Sequence, residues 1–224
     1  MPEKYVIITA GGVGTRMGSS IPKQFMELHN MPVILHSMKA FLNYSDSVKL
    51  ILVLADELIG DWESLCTKYN IAEMHQVVAG GDTRFQSVKN GLELLGDHGL
   101  VAIHDAARPL VSPSLIEQCF REAEIQGNAV PVVPLKDSIR EVREGDNRPV
   151  DRGAFRLMQT PQVFKSTIIK KAYDQAYRPS FTDDATVAES IGVRINLLAG
   201  EEINIKITTR EDMLIAESLF KSVN

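Results

Sequence analysis

Cysteine is scarce in this chain: Cys66 and Cys119 are the two present in 224 residues. Both lie among apolar residues of predicted helices and read as small buried hydrophobes. A disulfide framework and a thiolate zinc site are therefore excluded. Long apolar runs are missing too. No stretch approaches the roughly 20 residues of a bilayer-spanning helix. Met1-Pro2-Glu3-Lys4 leads straight into a strand rather than a signal peptide. A soluble, cytoplasmic protein with no membrane partner is the expectation. Basic tracts are also absent. At a formal net charge of -5, the chain is not built for a nucleic-acid backbone. It has no internal repeats and no low-complexity segments.

What is present is an ordinary globular balance. Hydrophobic residues make up 44% and charged residues 24%, which excludes disorder. The length suits a single domain over 1–224 that needs no covalent staples. An acidic protein that binds phosphates must concentrate its cations locally. Clustered Arg and Lys are therefore the feature to seek.

Strands and helices alternate along the chain. Tyr5-Val6-Ile7-Ile8 predicts a strand buried on both faces. Pro32 opens a helix running to about Asn43. Val48 to Leu54 predicts a strand, Leu58 to Tyr69 a helix, and Met74 to Val78 a third strand. Arg84 to Leu95 is helical, with Phe85, Val88, Leu92 and Leu95 on one stripe. Leu100 to His104 and Ala129 to Val133 are further strands, with a helix between them capped by Ser112 and Pro113. After Lys165 come a helix to about Ala176, a short helix after Asp184, and strands near Ile195–Leu198 and Ile203–Ile207. Thr208 and Glu211 form a capping box for the last helix. The alternation implies a mostly parallel sheet covered by helices on both faces, a three-layer α/β fold. Residues 136 to 152 break the pattern: Glu144-Gly145-Asp146-Asn147 is turn-forming between polar strands. This predicts a projecting β-arm. A two-stranded arm is marginal alone in water, so it is expected to pack on a second subunit.

Ligands of open α/β sheets bind beyond the carboxyl ends of the strands. After the first strand comes Ala10-Gly11-Gly12-Val13-Gly14-Thr15-Arg16-Met17, then Pro22-Lys23-Gln24. The loop lacks the Gly-Lys-Ser/Thr ending of a Walker A loop. Met17 breaks the dinucleotide fingerprint at its third glycine. What remains is a glycine loop whose backbone N–H groups can approach phosphate, with Arg16 and Lys23 beside it. Phosphoryl or nucleotidyl transfer needs that kind of charge neutralisation. Asp105 follows a buried strand. It can hold Mg2+ directly or through water, or accept a hydrogen bond from a substrate hydroxyl. It can also serve as a helix cap or pair with Arg108. His104 reads as a supporting residue rather than a base. Arg84 and Arg108 can equally be members of structural ion pairs.

These residues together resemble the 2-C-methyl-D-erythritol 4-phosphate cytidylyltransferase family. The resemblance covers nearly the whole chain. It rests on the first loop, Pro22-Lys23-Gln24, Gly80-Gly81-Asp82-x-Arg84-x-x-Ser87-Val88, His104-Asp105-Ala-Ala-Arg108-Pro109, Asp137-Ser138, Val150-Asp151-Arg152, Gln159-Thr160-Pro161-Gln162, Thr182-Asp183-Asp184 and Asn204-Ile205-Lys206. It implies a Rossmann-like nucleotidyltransferase sheet and a Mg2+-dependent reaction of CTP with a sugar-alcohol phosphate. By that resemblance Arg16, Lys23 and Lys206 are the catalytic cations. Ala10, Gly11, Gly12, Gly14, Thr15, Gly81, Asp82 and Ser87 surround the nucleotide. Asp105, Arg108, Ser138, Arg152 and Thr160 hold the acceptor, and Asp105 is the candidate metal ligand. The family is a homodimer whose arm reaches its neighbour. Ribitol-5-phosphate cytidylyltransferases share most of these motifs, so transfer to ribitol 5-phosphate stays open. A non-catalytic nucleotide-binding protein is a more distant alternative, opposed by cations placed for a transition state.

Overall fold

A computed structural model describes residues 2–11 and 22–223. The expected nucleotide contacts Gly12, Gly14 and Thr15, and the cation Arg16, lie outside the described residues. The strands are β1 (Lys4–Ala10), β2 (Glu27–Leu28), β3 (Met31–Pro32), β4 (Lys49–Leu54), β5 (Gln76–Ala79), β6 (Leu100–Asp105), β7 (Asn128–Pro134), β8 (Ile139–Arg143), β9 (Asp146–Val150), β10 (Arg156–Met158), β11 (Gln162–Lys165) and β12 (Leu197–Ala199). The α-helices are α1 (Val33–Tyr44), α2 (Ile59–Tyr69), α3 (Arg84–Glu93), α4 (Pro113–Gln126), α5 (Ser166–Tyr173), α6 (Asp184–Glu189) and α7 (Arg210–Val223).

The main sheet has the order β10-β7-β11-β6-β1-β4-β5, with β12 alongside β7. β1 pairs in parallel with both β4 and β6, and β4 with β5. Successive side chains of these strands point to opposite faces. Val6, Ile8, Leu52 and Ala102 pack under α1, α2 and α4. Tyr5, Ile7, Val53 and Ile103 pack under α3, α5 and α6. This is the expected three-layer arrangement, and it explains why the central strands carry apolar residues on both faces. A smaller cluster of Leu28, Val33, Leu110, Ile207, Met213 and Ala216 seats α7. No described helix is long and apolar enough to cross a membrane.

Local chemistry sets the element ends. The Ser112 hydroxyl accepts from the Leu115 N–H at 3.0 Å with Pro113 in the first turn, and Gly127 closes α4 at φ +92°. Glu144 and Gly145, at φ 40° and 88°, turn β8 into β9. Positive φ at both central residues is the hairpin turn whose twist suits its strands. The arm pairs with no strand of the main sheet, and its Val142 is 72% exposed.

The structure differs from the sequence reading in several places. Residues 203–207 form no strand. Their backbone is tied instead to the loop after β6, through the Ile207 N–H to the Ala107 carbonyl at 2.8 Å. The cap of α7 is one residue further along than Thr208 and Glu211. The Asp212 carboxylate accepts from the Thr209 N–H at 2.8 Å, and the Thr209 hydroxyl accepts from the Asp212 N–H at 3.2 Å. α5 stops at Tyr173 rather than near Ala176. The sequence reading also missed β10 and β11, both antiparallel to their neighbours, and the small β2–β3 hairpin.

Candidate active site at the carboxyl ends of the strands

β6, β1, β4 and β5 are successive in the sheet, and the segments at the carboxyl ends of β1, β5 and β6 enclose a cavity of about 220 Å³. The buried Ser87 hydroxyl accepts from the Gly81 N–H at 3.1 Å and donates to the Thr83 carbonyl at 3.0 Å, which fixes the glycine turn. A Cβ on Gly80 would stand 2.9 Å from the Ser87 Oγ and 3.3 Å from the Leu54 carbonyl. The close approach therefore requires glycine there. Gln24 is buried, and its amide donates to the Ala10 carbonyl at 2.8 Å, pinning the short 3-10 turn Lys23–Phe25 to the end of β1. That brings Lys23 to the cavity, where its Nζ donates to the Ile207 carbonyl at 3.2 Å.

Asp105 ends β6 and faces three cations. Its Oδ2 lies 2.8 Å from the Lys206 Nζ and 3.7 Å from the Arg108 Nε, and its Oδ1 lies 3.6 Å from the Arg84 Nε. Burial pushes the Asp105 carboxyl up, but the charges of Arg84, Lys206 and Arg108 outweigh it and hold the group well below the usual carboxylate range. Arg84 is itself clamped by Asp184, with Nη1 and Nη2 donating to its two oxygens at 2.9 and 2.7 Å. The Arg108 guanidinium also donates to the Asn204 carbonyl at 2.7 Å.

Beneath Asp105 runs a buried chain of hydrogen bonds. The His104 Nε2 lies 3.1 Å from the Arg108 carbonyl, which can only accept, so Nε2 carries the proton. Nδ1 is then an acceptor, and the Thr160 hydroxyl donates to it at 3.1 Å. The same hydroxyl accepts from the Asp105 N–H at 3.1 Å. Burial drives the His104 imidazole down to about 4, so it is neutral near pH 7.

A second recess of about 510 Å³ lies beside the first, lined by Arg108, Asn204 and the base of the arm at Lys136 and Asp137. Lys206 borders both cavities.

The structure gathers most of the predicted residues. Ala10, Gly11, Gly81, Asp82, Ser87, Lys23, Asp105 and Lys206 border the first cavity. Arg108 borders the second. Thr160 lies under Asp105 and is 4% exposed. Ser138 and Arg152 border neither cavity of their own chain. Both are exposed near the root of the arm, where the Arg152 guanidinium donates to the Lys136 carbonyl. Sequence reasoning gave no role to Gln24, Asn204 or Asp184. All three stand inside motifs it quoted, and polarity within apolar surroundings was the available signal.

Asp105 does not fit a direct Mg2+ ligand in this arrangement, because both its oxygens face cations. Among the described residues there is no group of three His, Cys, Asp or Glu side chains that could hold a metal ion.

A three-layer, mostly parallel sheet whose carboxyl ends collect glycine backbone and converging cations defines a nucleotidyltransferase. The 2-C-methyl-D-erythritol 4-phosphate cytidylyltransferase family model matches residues 5–222. The enzyme of that name from Azobacteroides pseudotrichonymphae genomovar. CFP2 is 45% identical over 220 residues, covering 98% of this chain and 99% of the relative. The Bacteroides thetaiotaomicron enzyme is 44% identical over 217 residues, covering 97% and 99%. The crystal structure of the Francisella tularensis enzyme superposes with a TM-score of 0.80 at 28% identity, covering 96% of this chain and 99% of that one. The chain belongs to the 2-C-methyl-D-erythritol 4-phosphate cytidylyltransferase family.

Proposed function

We propose that this chain joins CTP to 2-C-methyl-D-erythritol 4-phosphate, giving 4-diphosphocytidyl-2-C-methyl-D-erythritol and pyrophosphate in non-mevalonate isoprenoid biosynthesis. The observation that carries this reading is Lys206, a cation on the boundary of two adjoining cavities. The cavity between Ala10, Gly81 and Ser87 takes the nucleotide, largely through backbone groups. The recess at Arg108 takes the acceptor phosphate alcohol. Lys206 then lies where the two substrates meet.

The acceptor's phosphate oxygen attacks the α-phosphorus in line. A new P–O bond forms, the bond from the α-phosphorus to the bridging oxygen breaks, and pyrophosphate leaves with the electron pair. The nucleophile is already anionic, so no side chain needs to remove a proton. The neutral His104, with both nitrogens engaged, suits a supporting role. Lys23, Lys206 and Arg16 neutralise charge that builds up around the five-coordinate phosphorus. A divalent cation, Mg2+, would be carried by triphosphate oxygens and water rather than by Asp105. Asp105 instead orients the acceptor and spaces the surrounding cations.

The site is completed by a second copy of the chain. Ser138 and Arg152, exposed near the root of the arm, would complete the acceptor recess of that copy. The exposed apolar residues Val142, Phe155 and Leu157 on and beside the arm support such docking.

Pyrophosphate release with CTP and either methylerythritol phosphate or ribitol 5-phosphate tests the assignment. Turnover with methylerythritol phosphate is expected. Turnover with ribitol phosphate alone would overturn it. CTP should also protect the chain against thermal unfolding.

A further inference from the structure

The motif Thr182-Asp183-Asp184 has no part in the chemistry described so far, yet among the described residues it supplies the most deeply buried carboxylate. Asp184 is 0% exposed. Its carboxylate accepts both guanidinium nitrogens of Arg84, at 2.9 and 2.7 Å, and the Tyr173 hydroxyl at 2.6 Å. A buried carboxylate with three donors at that range has its position set by all of them. We propose that Asp184 is a positioning residue for Asp105, acting through Arg84.

The remaining Arg84 nitrogen, Nε, faces the Asp105 Oδ1 at 3.6 Å. The guanidinium is planar and rigid, so fixing its two outer nitrogens on Asp184 also fixes the direction of Nε. The anchor is itself well held. Asp183 caps α6 through the Thr186 N–H at 2.9 Å. Gln162, on β11, accepts from the Ala185 N–H at 2.8 Å and donates to the Asp183 carboxylate at 2.9 Å. Behind Arg84, Phe85 stacks on Tyr173 with ring centroids 4.6 Å apart and on Phe181 at 5.6 Å. The clamp therefore joins α3, α5, α6 and β11, and sets one charge at 3.6 Å from the carboxylate at the end of β6. Arg84 without Asp184 would be drawn wholly to Asp105 and would pull Oδ1 away from its present direction. Asp184 divides the pull of Arg84 between two carboxylates. That leaves Asp105 aimed at the boundary where Lys206 stands.

The inference rests on the reading that Asp105 orients the acceptor. Asp184→Asn keeps shape and removes the charge. Tyr173→Phe removes only the hydroxyl that steadies Asp184. Steady-state kinetics with CTP and methylerythritol phosphate should show the acceptor KM rising on the order of ten-fold in Asp184→Asn, as for other residues that orient a functional group from behind. The CTP KM should stay within about two-fold. Tyr173→Phe should move the same constant in the same direction by less. In an Asp105→Asn background, Asp184→Asn should add almost nothing, because its route of action is gone. A merely structural Asp184 would lower Tm and active fraction while leaving both KM values in place, and that result overturns the proposal. So does a parallel rise in both KM values, or a full additive effect in the Asp105→Asn background. Failure of the wild-type protein to use methylerythritol phosphate would overturn the functional reading instead. The two failures are thus distinct.

Discussion

Replacing Lys206 by alanine separates chemistry from folding in this site. Among the described residues Lys206 has one side-chain partner, Asp105 at 2.8 Å, and its side chain is 41% exposed. Asp105 is buried, but Lys206 is half-exposed and two other cations remain on the carboxylate, so losing the pair costs about 1 kcal/mol, the upper end for a surface pair. Asp105 also keeps Arg84 at 3.6 Å and Arg108 at 3.7 Å when Lys206 is removed, so its charge is not left uncompensated. For a domain of this size, 1 kcal/mol corresponds to a Tm change of about 2–4 °C. The rate should respond very differently. A preorganised charge beside the reacting phosphorus is worth on the order of 10²–10³ in kcat. Pyrophosphate release at saturating CTP and acceptor measures the first effect, and thermal unfolding without ligand measures the second. The expected result is a kcat lower by that factor with Tm nearly unchanged. Turnover within about ten-fold of wild type would refute the placement of Lys206 at the reacting centre. A Tm loss well beyond about 4 °C would show that its pair with Asp105 is chiefly a structural contact.

Lys23→Ala should lower kcat by on the order of 10²–10³ while changing CTP binding far less; isothermal titration with CTP beside steady-state rates checks this, and near-normal turnover would place Lys23 away from the phosphate. If the proposed dimer forms through the arm, deleting residues 136–152 should give a monomer and abolish activity together, and an active monomer in sedimentation would contradict a shared site. Acid should destabilise the fold through His104. Its folded pKa of about 4 lies below the ordinary 6.5, so the unfolded chain binds more protons between those values. Its contribution is full above pH 6.5 and is lost as the pH falls through about 4. His36 and His75, also held down by burial, act in the same direction. Tm should therefore fall over that range, with a shallower slope in His104→Gln; identical slopes would show that His104 is not neutral when folded.

The parts of the fold legible in the sequence are those whose signal is local. β1, β4 and β6 are apolar on both faces because helices cover both, and such runs stand out. Ser112-Pro113 and the Glu144-Gly145 turn declare themselves by side-chain chemistry. β11 does not. Gln162 at its start is buried for its hydrogen bonds to α6, and Pro161 precedes it, so the segment looks like a loop. The alternation of Ile203, Ile205 and Ile207 suggests a strand, yet Ile205 and Ile207 pack in the cluster that seats α7, and the Ile207 N–H is bonded to the loop after β6 rather than to a ladder. In the site, Lys23 and Asp105 were findable because they stand in the loop after β1 and at the end of β6, and Lys206 because it belongs to the Asn204-Ile205-Lys206 motif. The Arg84–Asp184 clamp was not, since it joins residues far apart in the chain that meet only through β11 and α6.

The place of β11 bears on how the molecule is assembled. It lies between β6 and β7, both of which precede it in the chain. Until residues 162–165 arrive, a growing polypeptide holds two finished strands separated by a vacant slot. Each strand then shows a row of unpaired amides to any other extended segment. Closing the slot needs contacts between distant parts of the chain, which form slowly because loop closure must come first. The final third of the polypeptide is therefore the keystone of the sheet. Fragments that end before Gln162 should be prone to association, even though they contain Lys23, Arg84, Asp105 and Arg108.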